Sequence, residues 1–168
     1  EAMFGKAGDG IIYYEYDFSS GKPFCPPYEA DYLVHLASPT ASKDFAERPV
    51  ETLSTVFLGT RQVLEYAKRA GAGMKGMLYV SSLEVYGTVL DDTEPLTEDR
   101  QGHLDLMQAR SSYPTAKQST ECLCHAYSAE YGVRVMTARL AQTFGMKVAE
   151  DDNRVFAQFA RCAAADND

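Results

Sequence analysis

The chain has 168 residues, a length that suits one domain with a sizeable core. Its formal net charge of −8 leaves no basic face for a phosphate backbone, which argues against nucleic acid as the main partner. No apolar stretch approaches the roughly 20 residues that span a bilayer, no signal peptide opens the chain, and the four cysteines lack metal-ligand spacing. We therefore expect a soluble, cytoplasmic protein with reduced thiols, no metal site and no membrane partner.

Strands and helices alternate along the sequence. Ile11 to Tyr16 and Tyr32 to Leu36 are short β-favouring runs, and each predicts a strand. Apolar positions then recur at helical spacing from Pro49 to Ala70. Met77 to Val80 is a near-continuous apolar run, typical of a strand covered on both faces.

The second half of the chain continues this alternation. A long helix is predicted from Ser112 to Tyr131, a strand from Val133 to Leu140, and a last helix near Arg154 to Ala164. Strands alternating with helices indicate a parallel α/β sheet. Ligands of such sheets bind beyond the carboxyl ends of the strands.

Tyr113 and Lys117 lie one turn apart on the predicted helix and can project from the same face. The spacing alone is weak evidence, because the chain has 11 tyrosines and such pairs arise by chance. Ser82 follows the predicted strand that ends at Val80 and can meet the pair at the sheet edge. The trio suits proton transfer to and from a hydroxyl or carbonyl.

Several motifs occur in a fixed order, namely His35-Leu-Ala-Ser38, Gly59-Thr60, Val80-Ser-Ser-Leu-Glu-Val-Tyr-Gly87, Tyr113-x-x-x-Lys117 and Arg139-x-x-x-x-Phe-Gly145. Together they resemble the extended short-chain dehydrogenase/reductases, and more narrowly the NAD-dependent nucleotide-sugar epimerase/dehydratase family. The segments His35-Leu-Ala-Ser-Pro39, Glu98-Asp99 and Arg110-Ser-Ser-Tyr113 resemble UDP-glucuronate decarboxylases within that family. The resemblance implies a Rossmann-like, doubly wound parallel sheet, a partial NAD(P)-binding domain over residues 1–168, NAD as cofactor and a nucleotide-sugar substrate.

The resemblance also implies catalytic roles. Tyr113 would exchange a proton with the sugar hydroxyl being oxidised, with its pKa lowered by Lys117, and Ser82 would hydrogen-bond the reacting oxygen. Leu83 stands where the dehydratases carry an acid, which disfavours dehydration. Glu84 stands where the decarboxylases have an acid, although a solvated or structural glutamate is an equal alternative. Decarboxylation and simple 4-epimerisation both stay open.

A set of cofactor-binding residues follows from the same resemblance. Asp17, with Phe18 beside it, would lie near the adenine, although Asp17 at a strand end also suits a turn. Lys117 would bind the nicotinamide ribose. The full set comprises Asp17, Phe18, Leu36, Ala37, Ser38, Val80, Ser81, Tyr113, Lys117, Leu140, Gln142 and Thr143.

Two neighbouring motif residues are kept out of the site. His35 is interpreted as a strand-end histidine with its hydrogen bonds satisfied. Arg139 is a candidate for a structural ion pair. Leu36 and Ala37 remain in the site, with ordinary core positions as their alternative.

The family's phosphate-binding glycines are absent. Gly5-Lys-Ala-Gly8-Asp-Gly10 lacks a preceding strand, and a β-like run follows it where a helix should start, so we reject it as that motif. We therefore expect roughly 50 to 70 further residues upstream, which would supply two more strands. Direct pairing of Ile11–Tyr16 with Asp31–Leu36 would contradict this expectation. Most of the family's C-terminal substrate lobe is also missing.

The alternative to an enzyme is a non-catalytic dinucleotide-binding or scaffold module derived from the same fold. Val56 in place of the family's usual asparagine and Met146 in place of its usual proline favour this alternative, whereas the intact catalytic trio opposes it. For the enzyme, the resemblance implies a homodimer formed through the helices at 49–70 and 112–131.

Overall fold

A computed structural model describes residues 10–90, 93–143 and 154–165 of the chain. Gly5 and Gly8 of the rejected glycine motif, and Phe144, Gly145 and Met146, lie outside these residues. The described helices and strands are, in chain order, β1 (Tyr32–His35), α1 (Ser42–Glu47), α2 (Pro49–Ala70), β2 (Gly76–Ser82), α3 (Ser112–Tyr131), β3 (Val135–Leu140) and α4 (Val155–Ala164).

In the described ranges the three strands form one parallel sheet in the order β1-β2-β3, with β2 in the centre. β2 pairs with β1 from Gly76 to Tyr79 and with β3 from Met77 to Ser82. Parallel pairing requires crossover connections, which α1 with α2 and then α3 provide. The predicted parallel α/β sheet is therefore confirmed.

The two long helices pack side by side, and α3 also covers β2. Pro49 begins α2, and Gly132 ends α3 in the left-handed conformation at φ 70°. Because apolar residues recur at helical spacing along α2, one face of that helix is buried against the sheet and α3. The core includes Val63, Leu64, Ala67, Met77, Tyr79, Cys124 and Tyr127.

The predicted strand from Ile11 to Tyr16 is wrong. The segment has no regular secondary structure, and most of its side chains are exposed. β-favouring residues form a strand only where a ladder partner and a packed face are available, and this segment lies on neither. It does not pair with β1, so the pairing that would contradict additional upstream strands is not observed, and the upstream residues stay a prediction.

The stretch after this segment packs on α2 through two phenylalanine rings. The ring of Phe24 packs on Tyr66 with centroids 5.5 Å apart, and Phe18 lies over Gly59. A Cβ atom added at Gly59 would lie 3.2 Å from the Cβ of Phe18. Among the described helices, none is long and apolar enough to cross a membrane.

Candidate functional site

A cleft of about 340 Å³ opens at the carboxyl ends of β2 and β3. Parallel strands bring their following loops together at this edge, so residues distant in sequence share the cleft. α1 and the start of α3 form its remaining walls. Its lining includes Leu36, Ser38, Thr40, Ser42, Phe45, the run from Val80 to Glu84, Tyr113, Lys117, the run from Leu140 to Thr143, and Arg154.

Tyr113 lies on the first turn of α3 and is only 8% exposed. The hydroxyls of Ser82 and Ser38 line the same cleft as its phenol. Burial raises the pKa of Tyr113, whereas hydrogen bonding by Ser82 and Ser38 opposes that rise. The net direction is upward, opposite to the lowered pKa expected from the resemblance.

Lys117 lies one helical turn from Tyr113 and is also buried. Its side chain is 3% exposed, and Nζ donates a hydrogen bond to the Val80 carbonyl oxygen at 2.9 Å. Nζ lies 5.7 Å from the centroid of the Tyr113 ring. Burial lowers the pKa of Lys117 to about 8, so the side chain loses its positive charge at a lower pH than an exposed lysine does. The sequence placed Lys117 correctly beside Tyr113, but it did not predict this main-chain partner.

Glu84 follows Ser82 in a 3₁₀ turn, Leu83–Tyr86, and its carboxylate forms a bidentate ion pair with Arg110. The two bonds join Nη1 to Oε2 at 2.8 Å and Nη2 to Oε1 at 2.9 Å. Leu83 occupies the preceding position at the rim with 37% of its surface exposed. Glu84 is therefore a structurally paired carboxylate that still lines the cleft.

Phe45 was not anticipated as a site residue. It is buried on α1, and its ring stacks on the Tyr113 ring at a centroid distance of 4.0 Å and an interplanar angle of 6°. No sequence pattern indicated Phe45. Arg110, by contrast, stood three residues before Tyr113 in a quoted motif and was not given a role.

The expected cofactor-binding residues separate into two groups. Leu36, Ser38, Val80, Ser81, Leu140, Gln142 and Thr143 line the cleft together with Tyr113 and Lys117, and Ala37 lies within the same loop as Leu36 and Ser38 without being part of the lining. Asp17 and Phe18 are not brought to it.

Asp17 lies in a turn that its own side chain stabilises. Its Oδ1 accepts hydrogen bonds from the Ser19 backbone N–H at 2.8 Å and from the Ser19 hydroxyl at 2.7 Å. These bonds lower the pKa of Asp17. The arrangement matches the turn role that was the alternative for this residue.

The two residues left outside the site have the partners expected of structural residues. His35 Nε2 lies 3.1 Å from Thr60 Oγ1 in the interior, and burial lowers the pKa of His35 to about 4. Arg139 pairs with Glu121 at 2.8 Å. Val56 is fully buried on α2, where its carbonyl accepts a hydrogen bond from Thr60.

Residues 17–168 match the NAD dependent epimerase/dehydratase family. The chain belongs to the NAD dependent epimerase/dehydratase family. Over 131 residues it is 37% identical to UDP-glucuronic acid decarboxylase 1 of Danio rerio, covering 78% of this chain and 30% of the relative. It is 35% identical to UDP-glucuronic acid decarboxylase 6 of Arabidopsis thaliana, again over 78% of this chain and 37% of the relative.

A solved structure shares the fold. RMD from Pseudomonas aeruginosa complexed with NADPH superposes with a TM-score of 0.76 at 29% identity, covering 92% of this chain and 51% of that protein. The Rossmann-like fold and the resemblance to UDP-glucuronate decarboxylases are thus confirmed. The chain spans about a third of the length of the curated relatives described above.

Proposed function

We propose that the chain carries the hydroxyl-oxidising centre of an NAD-dependent nucleotide-sugar enzyme, which oxidises the sugar transiently at C4 and then decarboxylates or epimerises it. The observation that carries this proposal is that Tyr113, Ser82 and Lys117 line one cleft at the carboxyl end of β2, with Lys117 one helical turn from Tyr113. The decarboxylase names of the two curated relatives support a uronic acid nucleotide as substrate.

The cleft suits the nicotinamide side of a dinucleotide. Ser81 Oγ is buried in its wall and has no hydrogen-bond partner within the described ranges, so a polar ligand group can satisfy it. Lys117 donates one N–H to the Val80 carbonyl oxygen, which leaves two donors for a ribose hydroxyl. Bound there, NAD would supply the acceptor for the hydride that leaves the carbon bearing the hydroxyl and the donor that returns it.

The residues of the chain then have separable tasks. Ionised Tyr113 takes the proton from the C4 hydroxyl, and Ser82 holds the same oxygen while C4 becomes a ketone. In a uronic acid this ketone is β to the C5 carboxylate, so the C5–carboxyl bond breaks, carbon dioxide leaves, and the resulting enolate is protonated at C5. Leu83 offers no proton for loss of a hydroxyl, which supports decarboxylation or epimerisation over dehydration.

The test compares Tyr113→Phe with Tyr131→Phe in the complete gene product. Tyr131 lies on the same helix and is exposed, so its variant is the matched control. With UDP-glucuronic acid as substrate, Tyr113→Phe should lower kcat by at least about 100-fold, the usual scale for a removed general acid–base, and Tyr131→Phe should leave it unchanged. NAD affinity, measured by calorimetry, should be similar in both.

The same assay separates the remaining chemistries. Release of carbon dioxide identifies a decarboxylase, and a C4 epimer that keeps its carboxylate identifies an epimerase. Undiminished turnover in Tyr113→Phe would contradict the proposed centre. NAD binding without any turnover in the unmodified protein would favour the non-catalytic module.

We also propose a homodimer through α2 and α3. Three large apolar side chains on α2, Val50, Leu53 and Leu58, are exposed in the single chain and could pack against a second copy. Light scattering of the complete protein should report a dimer, and Leu53→Glu should shift it toward the monomer. A monomeric mass for the unmodified protein would contradict this assembly.

A further inference from the structure

Arg110 contacts two parts of the cleft at once. Its guanidinium forms the bidentate pair with Glu84 and also lies over the ring of Phe45, with Cζ 4.8 Å from the ring centroid. Phe45 in turn stacks on Tyr113. A continuous series of contacts therefore runs from the carboxylate of Glu84 through Arg110 and Phe45 to the phenol of Tyr113.

These contacts leave the aromatic pair little freedom. Phe45 is 2% exposed, and its carbonyl oxygen accepts a hydrogen bond from Ser112 Oγ at 3.1 Å. That bond joins α1 to the first residue of α3, immediately before Tyr113. A parallel stack on a ring that Arg110 covers restricts the tilt of the phenol plane.

We propose that Arg110 is a positioning residue that holds Glu84 through the bidentate ion pair and Tyr113 through the ring of Phe45, so that carboxylate and phenol keep one fixed relation across the cleft. The inference rests on the proposed function, because it assumes that Tyr113 is the catalytic base. An arginine suits this task because its planar guanidinium can stack on a ring while donating two parallel hydrogen bonds.

Electrostatics supports the same role. Burial, followed by the hydrogen bond with Ser82, has the largest influence on the pKa of Tyr113, while the charge of Glu84 raises that pKa and the charge of Arg110 lowers it. Removing Arg110 therefore leaves the carboxylate uncompensated beside the phenol. A base with a higher pKa is ionised only at higher pH, so the rising limb of the pH–rate profile should move to higher pH.

Other charged groups around the phenol stay unchanged in such a variant. Lys117 Nζ is bound to Val80, and Arg154 lines the cleft from the start of α4. The neutral hydroxyl of Tyr79 is hydrogen-bonded to Thr120. On α1, Lys43 pairs with Glu47 at the surface. Asp44 of α1 lines a separate surface groove together with Arg48. The shift would therefore report the loss of Arg110.

The experiment uses Arg110→Met, Arg110→Lys and Phe45→Leu in the complete protein, with Arg139→Lys as the matched control. Arg139 also pairs with a glutamate and stacks on a tyrosine, with Cζ 4.8 Å from the Tyr86 ring centroid. Its partners Glu121 and Tyr86 do not line the cleft, whereas Glu84 and Phe45, the partners of Arg110, do. We expect kcat to fall about 10- to 100-fold in the Arg110 and Phe45 variants, the scale of a small misplacement of reacting groups. Only Arg110→Met should also shift the limb to higher pH, because lysine keeps the charge and Phe45→Leu changes none.

A direct reading of the phenol complements the kinetics. In protein carrying ¹³C-labelled tyrosine, the ring signal that disappears in Tyr113→Phe belongs to Tyr113. Its titration should move to higher pH in Arg110→Met and stay in place in Arg139→Lys. Phe45→Tyr keeps an aromatic ring in the stack, so its rate should stay near that of the unmodified protein, in contrast to Phe45→Leu.

The outcomes separate this inference from the proposed function. If Tyr113→Phe is inactive while Arg110→Met keeps both its rate and its pH limb, the positioning role is wrong and the proposed centre stands. If kcat falls equally in Arg110→Lys and Arg139→Lys, the effect of Arg110 is general structural support. That result would also overturn the positioning role. An active Tyr113→Phe would remove the proposed centre itself.

Discussion

The ammonium of Lys117 donates a hydrogen bond to the carbonyl oxygen of Val80, the residue two positions before Ser82 on the central strand. This contact anchors α3 to β2 at the edge of the cleft. A buried cation bound to a neutral carbonyl keeps a desolvation cost that a carboxylate partner would offset, which is why the pKa of Lys117 falls to about 8.

Lys117 should make stability depend on pH in the alkaline range. Since the pKa of Lys117 is lowered to about 8 in the folded chain and lies at 10.5 for an unperturbed lysine, the unfolded chain binds more protons between these values. The contribution of Lys117 to the free energy of unfolding should therefore rise by roughly 1 to 2 kcal/mol between pH 8 and pH 9.5, while the buried thiol of Cys124, whose pKa is raised to about 12, acts in the opposite direction. Urea unfolding at both pH values measures it.

Lys117→Met should lose this rise, whereas Lys43→Met, which removes a lysine at the surface, should retain it. A rise of equal size in Lys117→Met would show that another group causes it.

Two threonines of α3 should respond in opposite ways to the same substitution. Thr120 Oγ1 is fully buried and lies 2.6 Å from the hydroxyl of Tyr79, so Thr120→Val leaves that hydroxyl without this partner. We expect a loss of about 1 to 3 kcal/mol in the free energy of unfolding. Thr115 Oγ1 is buried and has no partner in the described part of the chain, so Thr115→Val should be neutral or stabilising.

Chemical denaturation of both threonine variants at one pH provides the comparison. Equal destabilisation by the two substitutions would mean that the shape of valine causes the loss. The hydrogen bond between Thr120 and Tyr79 would then be unimportant for stability.

Gly102 should be intolerant of alanine. A Cβ atom there would lie 2.4 Å from the carbonyl oxygen of Thr88 and 2.6 Å from that of Tyr86, both main-chain atoms that cannot rotate away. Gly102→Ala should cost roughly 2 kcal/mol or more and disrupt the bridge between Thr88 and His103. Thermal unfolding measures the loss.

Gly73→Ala, in the turn between α2 and β2, is the control, because nothing lies within 4 Å of the added Cβ at Gly73. It should be neutral or stabilise the chain slightly by restricting the unfolded state. If Gly102→Ala unfolds at the same temperature as Gly73→Ala, the close approach at Gly102 is not a constraint.

The sequence predicted local structure best where strong boundary signals are present. The predicted helix Ser112–Tyr131 agrees with α3 at both ends. Its C-terminal end is predictable because Gly132 supplies the left-handed residue that ends a helix. Ile11–Tyr16 failed because β propensity describes how side chains fit a sheet surface and does not supply a partner strand.

The candidate site was predictable only in part, and for a related reason. Ser82, Tyr113 and Lys117 belong to motifs with a recognisable order, so the structure could be expected to bring them together. The pairing of Arg110 with Glu84 and the stack of Phe45 on Tyr113 depend on how separate elements pack. Such contacts leave no periodic trace in the sequence, and the direction of the Tyr113 pKa shift depends on the same packing.

The alternation of β2 gives its last two residues different surroundings. Ser81 is buried and Ser82 is half-buried, following the pattern of the whole strand, and the two face opposite sides of the sheet. β2 is bonded to β3 as far as Ser82, opposite Leu140. A slip of one residue in this pairing would place either Ser81 or the apolar Leu83 where Ser82 now lies, so strand register decides which side chain lies in the cleft beside Tyr113.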